Sequence, residues 1–166
     1  MKIEEIIFQT DASGAPIRLE YVRGHPRWEL SPALTHQRIV DRIRATIRPE
    51  QPGMGGCGCF HYADVLIKLG GSFKRPDIAI FCNDPPDQGT ALAITPAAVI
   101  EIISEGYEEK DLGEDGAPFY VAQGVHDVLV LDPRSGEVHH FRPDQPKAVM
   151  MSPVEVNLQC GCRCRV

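Results

Sequence analysis

Two short apolar runs stand out in the pattern of hydrophobic and polar positions along the chain. The first, 78–81 (Ile-Ala-Ile-Phe), follows Arg75-Pro76-Asp77, and the second is 98–104 (Ala-Val-Ile-Glu-Ile-Ile-Ser). Runs of this length between turn residues predict buried strands. Each strand carries one carboxylate, Asp77 or Glu101. An ionised carboxylate in such surroundings is costly unless a cation or hydrogen-bond donors meet it, and a shared divalent metal is the simplest way to satisfy both.

The rest of the pattern predicts further strands and two helices. Strands are expected over 2–9, 17–22, 27–30, 60–69, 125–131, 137–141 and 154–166. A helix over 33–48, ended by Pro49, presents an apolar stripe of Ile39, Val40, Ile43 and Ile47, and a shorter helix covers 117–123, closed by Gly124. Residues 104–117 are expected to form a loop. This order predicts an α/β (α+β) fold with a mixed central sheet flanked by helices, N-terminal strands and a C-terminal hairpin.

Length and composition describe an ordinary globular chain. With 166 residues, 43% of them hydrophobic and 24% charged, we expect a single domain over residues 1–166. Lys2, Glu4 and Glu5 interrupt the N-terminus, and no long apolar run follows. The sequence therefore predicts neither an export signal nor a membrane span, and a cytoplasmic location is expected.

The net charge of -6 counts mildly against a nucleic-acid partner, which usually meets a basic face. It does not exclude one, because metal-dependent nucleases keep acidic sites that the metal neutralises. On the helix over 33–48, four arginines lie off the apolar stripe, and either solvation or phosphate contact explains them: Arg38, Arg42, Arg44 and Arg48.

Asp77 and Glu101 lie 24 positions apart on strands expected to be neighbours. Together with the carbonyl of the residue after Glu101, they make a hard-oxygen site suited to Mg²⁺ or Mn²⁺. Taken singly, each acid has a simpler interpretation: Asp77 is a strand-end aspartate after Pro76, and Glu101 forms an ion pair with Arg75 or a lysine inside the sheet.

Several motifs in order resemble the Uma-type putative restriction endonuclease family of the PD-(D/E)XK nuclease superfamily. They are Glu20-Tyr21 with Arg23-Gly24, Ser31-Pro32 before His36-Gln37, Arg75-Pro76-Asp77, the run 99–104 and the run 124–133. The resemblance implies a restriction-endonuclease-like core and divalent-metal-dependent cleavage of DNA. It places Asp77 and Glu101 on the family's two metal-binding acids and Glu20 on an upstream acid with a weaker role.

The chain departs from that pattern at the active-site lysine. Superfamily members carry a lysine two residues after the second acid, where this chain has Ile103, and the position used in Uma-type proteins falls on Asp115 or Gly116. Three lysines are candidates to substitute. We rank Lys110 first, as the electrostatic partner of the site, ahead of Lys68 and Lys74, and for each one a solvated surface lysine is the alternative.

Six cysteines in a chain without an export signal favour free thiols or metal ligands over disulfides. Cys57 and Cys59 flank Gly58, while Cys160, Cys162 and Cys164 alternate along a predicted strand. This spacing is unlike that of the usual structural zinc sites. We therefore interpret these residues as small buried hydrophobic side chains, with zinc binding as the alternative.

The residues thus support two main hypotheses. The first is an endonuclease that hydrolyses DNA with Mg²⁺ or Mn²⁺, using Asp77 and Glu101 as metal ligands and Lys110 as a catalytic partner. A homodimer is compatible with this hypothesis, because cutting two strands needs two sites. The second is a catalytically impaired domain of the same fold that binds nucleic acid or protein. A zinc-stabilised interaction protein is a third, if the cysteines converge.

Overall fold

A computed structural model describes residues 1–166 and contains four helices. Their bounds are α1 Ile3–Ala12, α2 Leu34–Arg44, α3 Glu108–Leu112 and α4 Ala117–Ala122. The longest of them has 11 residues, and no helix combines the length and apolar character needed to cross a bilayer.

Thirteen strands form three sheets. In chain order they are β1 Ile17–Val22, β2 His25–Leu30, β3 Arg48–Pro49, β4 Phe60–Ala63, β5 Ile67–Leu69, β6 Ser72–Lys74, β7 Ile78–Phe81, β8 Ala98–Ile102, β9 Asp127–Leu131, β10 Glu137–Phe141, β11 Ala148–Met151, β12 Glu155–Asn157 and β13 Cys162–Arg165. The central sheet has six strands in the order β11-β10-β9-β8-β7-β4. A four-stranded sheet runs β2-β1-β6-β5, and a three-stranded sheet runs β12-β13-β3.

The central sheet is mixed, as the sequence predicts. Strand β7 pairs antiparallel with β8, with Ile78 opposite Ile100, and β8 pairs parallel with β9, with Glu101 opposite Val130. The strands that carry or follow the two acids are therefore neighbours. All residues of β7, β8 and β9 are buried, which explains their continuous apolar sequence.

Helices cover both faces of this sheet. On one face, Val40 and Ile43 of α2 share a core with Ile78, Ile80 and Ile100. On the other face, Phe119 and Tyr120 of α4 form a second core with side chains of β7, β8 and β9. These strand residues are Ala79, Val99 and Val128. The strands alternate between the two cores, and the predicted α/β (α+β) class with a mixed sheet flanked by helices is confirmed.

The strand predicted over residues 2–9 is wrong, because this segment is the helix α1. Its isoleucines at 3, 6 and 7 follow helical spacing, and Ile7 is fully buried. The side chain of Glu5 accepts a hydrogen bond from the Lys2 N–H at 2.9 Å, which satisfies a donor at the helix start. The apolar count favoured a strand, whereas the spacing favoured a helix.

The predicted strand over 60–69 is two strands, β4 and β5, which belong to different sheets. The chain changes direction at Asp64, whose φ is +56°. The helix predicted over 33–48 ends earlier, at Arg44, because Arg48–Pro49 pairs with β13 as β3. Strand β6, Ser72–Lys74, is an element that the sequence did not separate from the strand after Asp77.

Two predictions for the second half of the chain are also wrong. The expected loop over 104–117 contains the helix α3, whose Asp111 is buried. The expected strand over 154–166 is a hairpin of β12 and β13, with its turn at residues 158–161. The hairpin of β9 and β10 is confirmed.

Candidate active site

Two hydrogen bonds join the strand segments that carry Asp77 and Glu101. The backbone N–H of Asp77 donates to Oε2 of Glu101 at 3.0 Å, and the backbone N–H of Ile102 donates to Oδ2 of Asp77 at 2.8 Å. The two acids are 5% and 1% exposed. The edge-to-edge pairing of β7 and β8 therefore brings the two sequence-predicted carboxylates together in the interior.

The Glu101 carboxyl group has an unusual electrostatic environment. Burial raises its pKa well above the ordinary value and the nearby Asp77 charge raises it further, while the positive charge of Lys110 opposes both. The hydroxyl of Tyr120 donates to Oε1 of Glu101 at 2.9 Å. In this protein Glu101 is thus a carboxyl group that would be stabilised in its ionised form by an additional cation.

The Asp77 carboxyl group is held in its ionised form. Burial alone would raise its pKa, but the hydrogen bond with His36 and the positive charges of His36 and Arg18 lower it below the ordinary value. Nη1 of Arg18 lies 3.2 Å from Oδ1 of Asp77, and Nε2 of His36 lies 3.2 Å from Oδ2. The environments of Asp77 and Glu101 therefore push their pKa values in opposite directions.

The oxygen atoms around His36 fit a hard divalent cation. Its Nε2 lies 3.2 Å from Oδ2 of Asp77 and 3.1 Å from the carbonyl oxygen of Ile102. Two oxygens therefore meet at Nε2 of His36, and the Glu101 carboxylate on the neighbouring strand accepts the Asp77 N–H. Carboxylate and carbonyl oxygens are the ligands that Mg²⁺ and Mn²⁺ prefer, so this donor set is chemically suited to either ion.

Lys110, the lysine that we ranked first, lies beside the two acids on α3. Its Nζ is 2.8 Å from Oδ1 of Asp111 and 3.5 Å from Oε1 of Glu29. Burial would lower the pKa of Lys110, but the surrounding carboxylates, of which Glu101 has the largest effect, raise it well above the ordinary value. Lys110 is therefore a half-buried, protonated cation that is held by Asp111 and Glu29 and lies near enough to Glu101 to interact with its charge.

Lys74 and Glu20 form a second buried ion pair next to the site. Their Nζ and Oε2 atoms are 3.0 Å apart, and the same Nζ lies 5.0 Å from the centre of the Tyr120 ring. Burial raises the pKa of Glu20, but Lys74, Lys110 and the Arg75 N–H outweigh it and lower the pKa to about 2. Glu20 thus stays ionised and its oxygens are already engaged.

The third candidate lysine, Lys68, is exposed on β5, and its Nζ lies 5.7 Å from the centre of the Phe73 ring. Arg75, the alternative ion-pair partner of Glu101, pairs instead with Asp11 and Asp64. The ion-pair interpretation of Glu101 with Arg75 is therefore wrong.

A cleft of about 380 Å³ opens beside the site. Glu20, Lys74 and Lys110 line its inner part, and Arg27 and Trp28 from β2 line its rim. Trp28 is 62% exposed. The cleft connects the charged interior with solvent, and its rim carries the exposed Trp28 ring and the Arg27 guanidinium, which pairs with Asp115 at 2.7 Å.

Sequence reasoning missed Arg18 and underrated His36 and Tyr120. Each reaches the acids from an element distant in sequence: Arg18 from β1, His36 from α2 and Tyr120 from α4. His36 contacts Asp77 and the carbonyl oxygen of Ile102. The only sequence signal for it was its place in the Ser31-Pro32 to His36-Gln37 motif of the resemblance.

The expectation of free cysteine thiols is wrong for four residues. Cys57 pairs with Cys82, and Cys59 pairs with Cys162, as disulfides, whereas Cys160 and Cys164 are free. The sequence pattern did not identify Cys82, which follows β7 immediately, as part of a cysteine pair. Cys160 lies in the β12–β13 turn and not on a strand, so the predicted alternation of three cysteines on one strand fails.

Comparisons with known proteins agree on the kind of fold. The family model described as "Uma2: Putative restriction endonuclease" matches residues 4–160. Among solved structures, this chain is similar to a crystal structure of a putative nuclease of DUF820 from Anabaena variabilis. The two are 21% identical, with a TM-score of 0.64 over 84% of this chain and 80% of that chain. A search of curated proteins gives no match.

Proposed function

This chain belongs to the Uma2 family of putative restriction endonucleases, and we propose that it hydrolyses phosphodiester bonds in DNA with a divalent cation held by Asp77 and Glu101. The observation that carries the proposal is the pair of hydrogen bonds that joins the segments of these acids, Asp77 N–H to Glu101 Oε2 at 3.0 Å and Ile102 N–H to Asp77 Oδ2 at 2.8 Å. These bonds hold two buried carboxyl groups on neighbouring strand segments, where ionising both costs free energy unless cations and hydrogen-bond donors compensate.

In this proposal the carboxylates of Asp77 and Glu101 and the carbonyl oxygen of Ile102 hold Mg²⁺ or Mn²⁺. When bound, such an ion lowers the pKa of its water and offsets the charge that develops on a phosphodiester. His36 now contacts two of these three oxygens. We therefore expect cation binding to compete with the His36 contacts.

Lys110 supplies positive charge in this mechanism and does not act as a base. Its raised pKa keeps it protonated at neutral pH, so its ammonium group can orient the attacking water and stabilise negative charge on the phosphate. Asp111 and Glu29, which contact Nζ of Lys110, fix its position. The function of the missing superfamily lysine at Ile103 is thereby assigned to a residue on α3.

In this proposal a DNA strand approaches the buried acids through the cleft. Arg27 at its rim is a phosphate-binding side chain of the usual type, and the exposed Trp28 ring offers a surface on which a base can stack. Both lie on β2 beside the cleft that Lys110 lines from within. The overall charge of -6 is compatible with this substrate, since a bound divalent cation would neutralise charge at the acidic site.

A second candidate function is a binding module of the same fold without catalysis, for nucleic acid or a protein partner. The observation that favours it is Ile103, which stands where the superfamily lysine is expected and is itself buried. In that case the acids retain a structural role and DNA is bound but not cut.

The test is cleavage of supercoiled plasmid DNA in the presence of Mg²⁺ or Mn²⁺. We expect cleavage by the wild-type protein and loss of cleavage in Asp77→Asn and Glu101→Gln, which keep the shape of the side chains. Matched controls are Asp41→Asn and Glu155→Gln, both exposed, which we expect to cut as the wild type does. Thermal unfolding of each variant shows whether it is folded.

Wild-type activity in both site variants would contradict the proposal. Binding of DNA without cleavage by the folded wild-type protein would support the second candidate. We further propose a homodimer for cleavage of both strands, since each chain has one such acid pair. Light scattering on the DNA-bound protein tests it, and a mass of one chain there would contradict it.

A further inference from the structure

Five cysteine sulfurs converge at one end of the central sheet. Cys57 and Cys59 come from the loop before β4, Cys82 follows β7, and Cys160 and Cys162 flank the turn that enters β13. The sulfur atoms form two overlapping groups of three. Those of Cys57, Cys59 and Cys162 lie within 4.8 Å of one another, and so do those of Cys57, Cys82 and Cys160. Three segments far apart in sequence therefore build one cluster, which we call the cysteine cluster.

The cluster is built from two Cys-Gly-Cys turns that face each other. In the first, the Gly58 N–H donates to the carbonyl oxygen of Cys82 at 2.8 Å, and a Cβ at position 58 would lie 2.5 Å from the Phe60 ring. In the second, Gly161 has φ +94°, a conformation that favours glycine. Both glycines thus allow the backbone to bring the sulfurs that flank them close to those of the facing segment.

The sulfur spacing suits a tetrahedral zinc ion. With Zn–S bonds of about 2.3 Å, the sulfurs of such a site lie about 3.8 Å apart. Sγ of Cys57 is 3.4 Å from Sγ of Cys162, although the two atoms belong to different disulfides. Cys57, Cys59 and Cys162 lie within 4.8 Å of one another, and reduction of the Cys57–Cys82 disulfide releases Cys82 as a fourth sulfur beside Cys57. Clustered cysteines in a reducing environment more often bind metal than form disulfides.

We propose that the reduced chain binds one zinc ion through Cys57, Cys59, Cys82 and Cys162. Two equivalents of a dithiol reduce the two disulfides. Each equivalent transfers two electrons and two protons and is itself oxidised to a disulfide. Zinc then forms four bonds to sulfur as the thiols release their protons. Cys59 and Cys162 are buried, which protects the bound ion from solvent.

The role of this zinc site is to join two sheets. Cys59 precedes β4 at the edge of the central sheet, and Cys162 begins β13 in the three-stranded sheet, 103 residues later in sequence. A zinc ion at the cluster holds these elements together without a covalent bond between cysteines. The site is separate from Asp77 and Glu101, so it does not depend on the nuclease proposal.

The experiment is metal analysis of the full chain, purified with a reducing agent and supplied with zinc. We expect one zinc ion per chain by mass spectrometry of the metal, and visible d–d absorption typical of tetrahedral thiolate sites after replacement by Co²⁺. Cys57→Ser and Cys162→Ser are expected to lose both signals. Cys164→Ser, which changes a buried free cysteine outside the cluster, is the matched control and keeps them.

Two further comparisons protect the result against variants that fail to fold. In the wild-type protein, a strong chelator should lower the midpoint of thermal unfolding under reducing conditions. Cys160→Ser should keep zinc, whereas Cys82→Ser should lose it. The proposal is overturned by reduced wild-type protein that gives neither zinc nor the Co²⁺ spectrum, by iron in place of zinc, or by zinc that survives in Cys57→Ser or Cys82→Ser.

Discussion

The hydroxyl group of Tyr120 donates a hydrogen bond to Oε1 of Glu101 at 2.9 Å, and both side chains are buried. The other oxygen of Glu101 accepts the N–H of Asp77. The carboxyl group is therefore held at both oxygens by neutral donors, one from α4 and one from the start of β7. Its orientation toward Asp77 is thus set by the fold before any cation binds.

We expect Tyr120→Phe to destabilise the protein, because it leaves Oε1 of the buried Glu101 without its donor. The loss of one partner of a buried hydrogen bond costs about 1–3 kcal/mol. Urea unfolding measures this difference. Tyr62→Phe is the control, since Tyr62 bonds to Asp84 at the surface, and its effect should be smaller. Equal effects of the two substitutions would contradict the role of the Tyr120 hydroxyl.

Lys74→Met should be strongly destabilising. The substitution leaves Glu20 buried without its ion-pair partner at 3.0 Å, and breaking a buried pair from one side costs about 3–5 kcal/mol. Lys68→Met removes an exposed lysine and should change the free energy of unfolding by no more than about 0.5 kcal/mol. Chemical denaturation of both variants checks the prediction, and a small effect of Lys74→Met would show that Glu20 finds another partner.

The pKa of Glu20 predicts how stability responds to acid. Its pKa falls from an ordinary 4.5 to about 2 on folding, so the folded state favours the ionised form. The stabilisation is fully present above about pH 4.5 and is lost as the pH falls from there to about 2. We expect Glu20→Gln to be less stable at neutral pH and to lose less stability over this range. Parallel pH curves for both proteins, from urea unfolding, would contradict this assignment.

Lys110→Met should lower the rate of DNA cleavage by about 10²–10³-fold, the usual cost of removing one group that stabilises transition-state charge. Lys110→Arg should restore part of the rate because it restores the positive charge. Single-turnover cleavage measures the chemical step. Unchanged cleavage by folded Lys110→Met protein would contradict the assignment of Lys110 and show that another cation is the electrostatic partner.

Local sequence signals predicted the centre of this fold well. The apolar runs of β7 and β8, the stripe of α2 and the turn between β9 and β10 all depend on residues close together in sequence, and periodicity reports such residues. The helix α1 was missed because the spacing of its few isoleucines fits the period of a strand as well as that of a helix. Asp64 was missed as a break because nothing nearby announces its positive φ.

The candidate site was predicted only in part, for a physical reason. Asp77 and Glu101 are conspicuous because each is a charge in or beside an apolar run. The residues that surround them are not conspicuous, since Arg18 lies 59 positions from Asp77 and His36 lies 41 positions from it. Such partners are set by how β1 and α2 pack on the sheet, which periodicity does not report.

The most direct test of the metal proposal is a crystal of this protein soaked in Mn²⁺ and measured for anomalous scattering. We predict a peak in contact with carboxylate oxygens of Asp77 and Glu101 and with the carbonyl oxygen of Ile102, and no such peak in Asp77→Asn crystals. A well-ordered site without a peak, with Nε2 of His36 still bonded to Asp77 and Ile102 at saturating Mn²⁺, would contradict it.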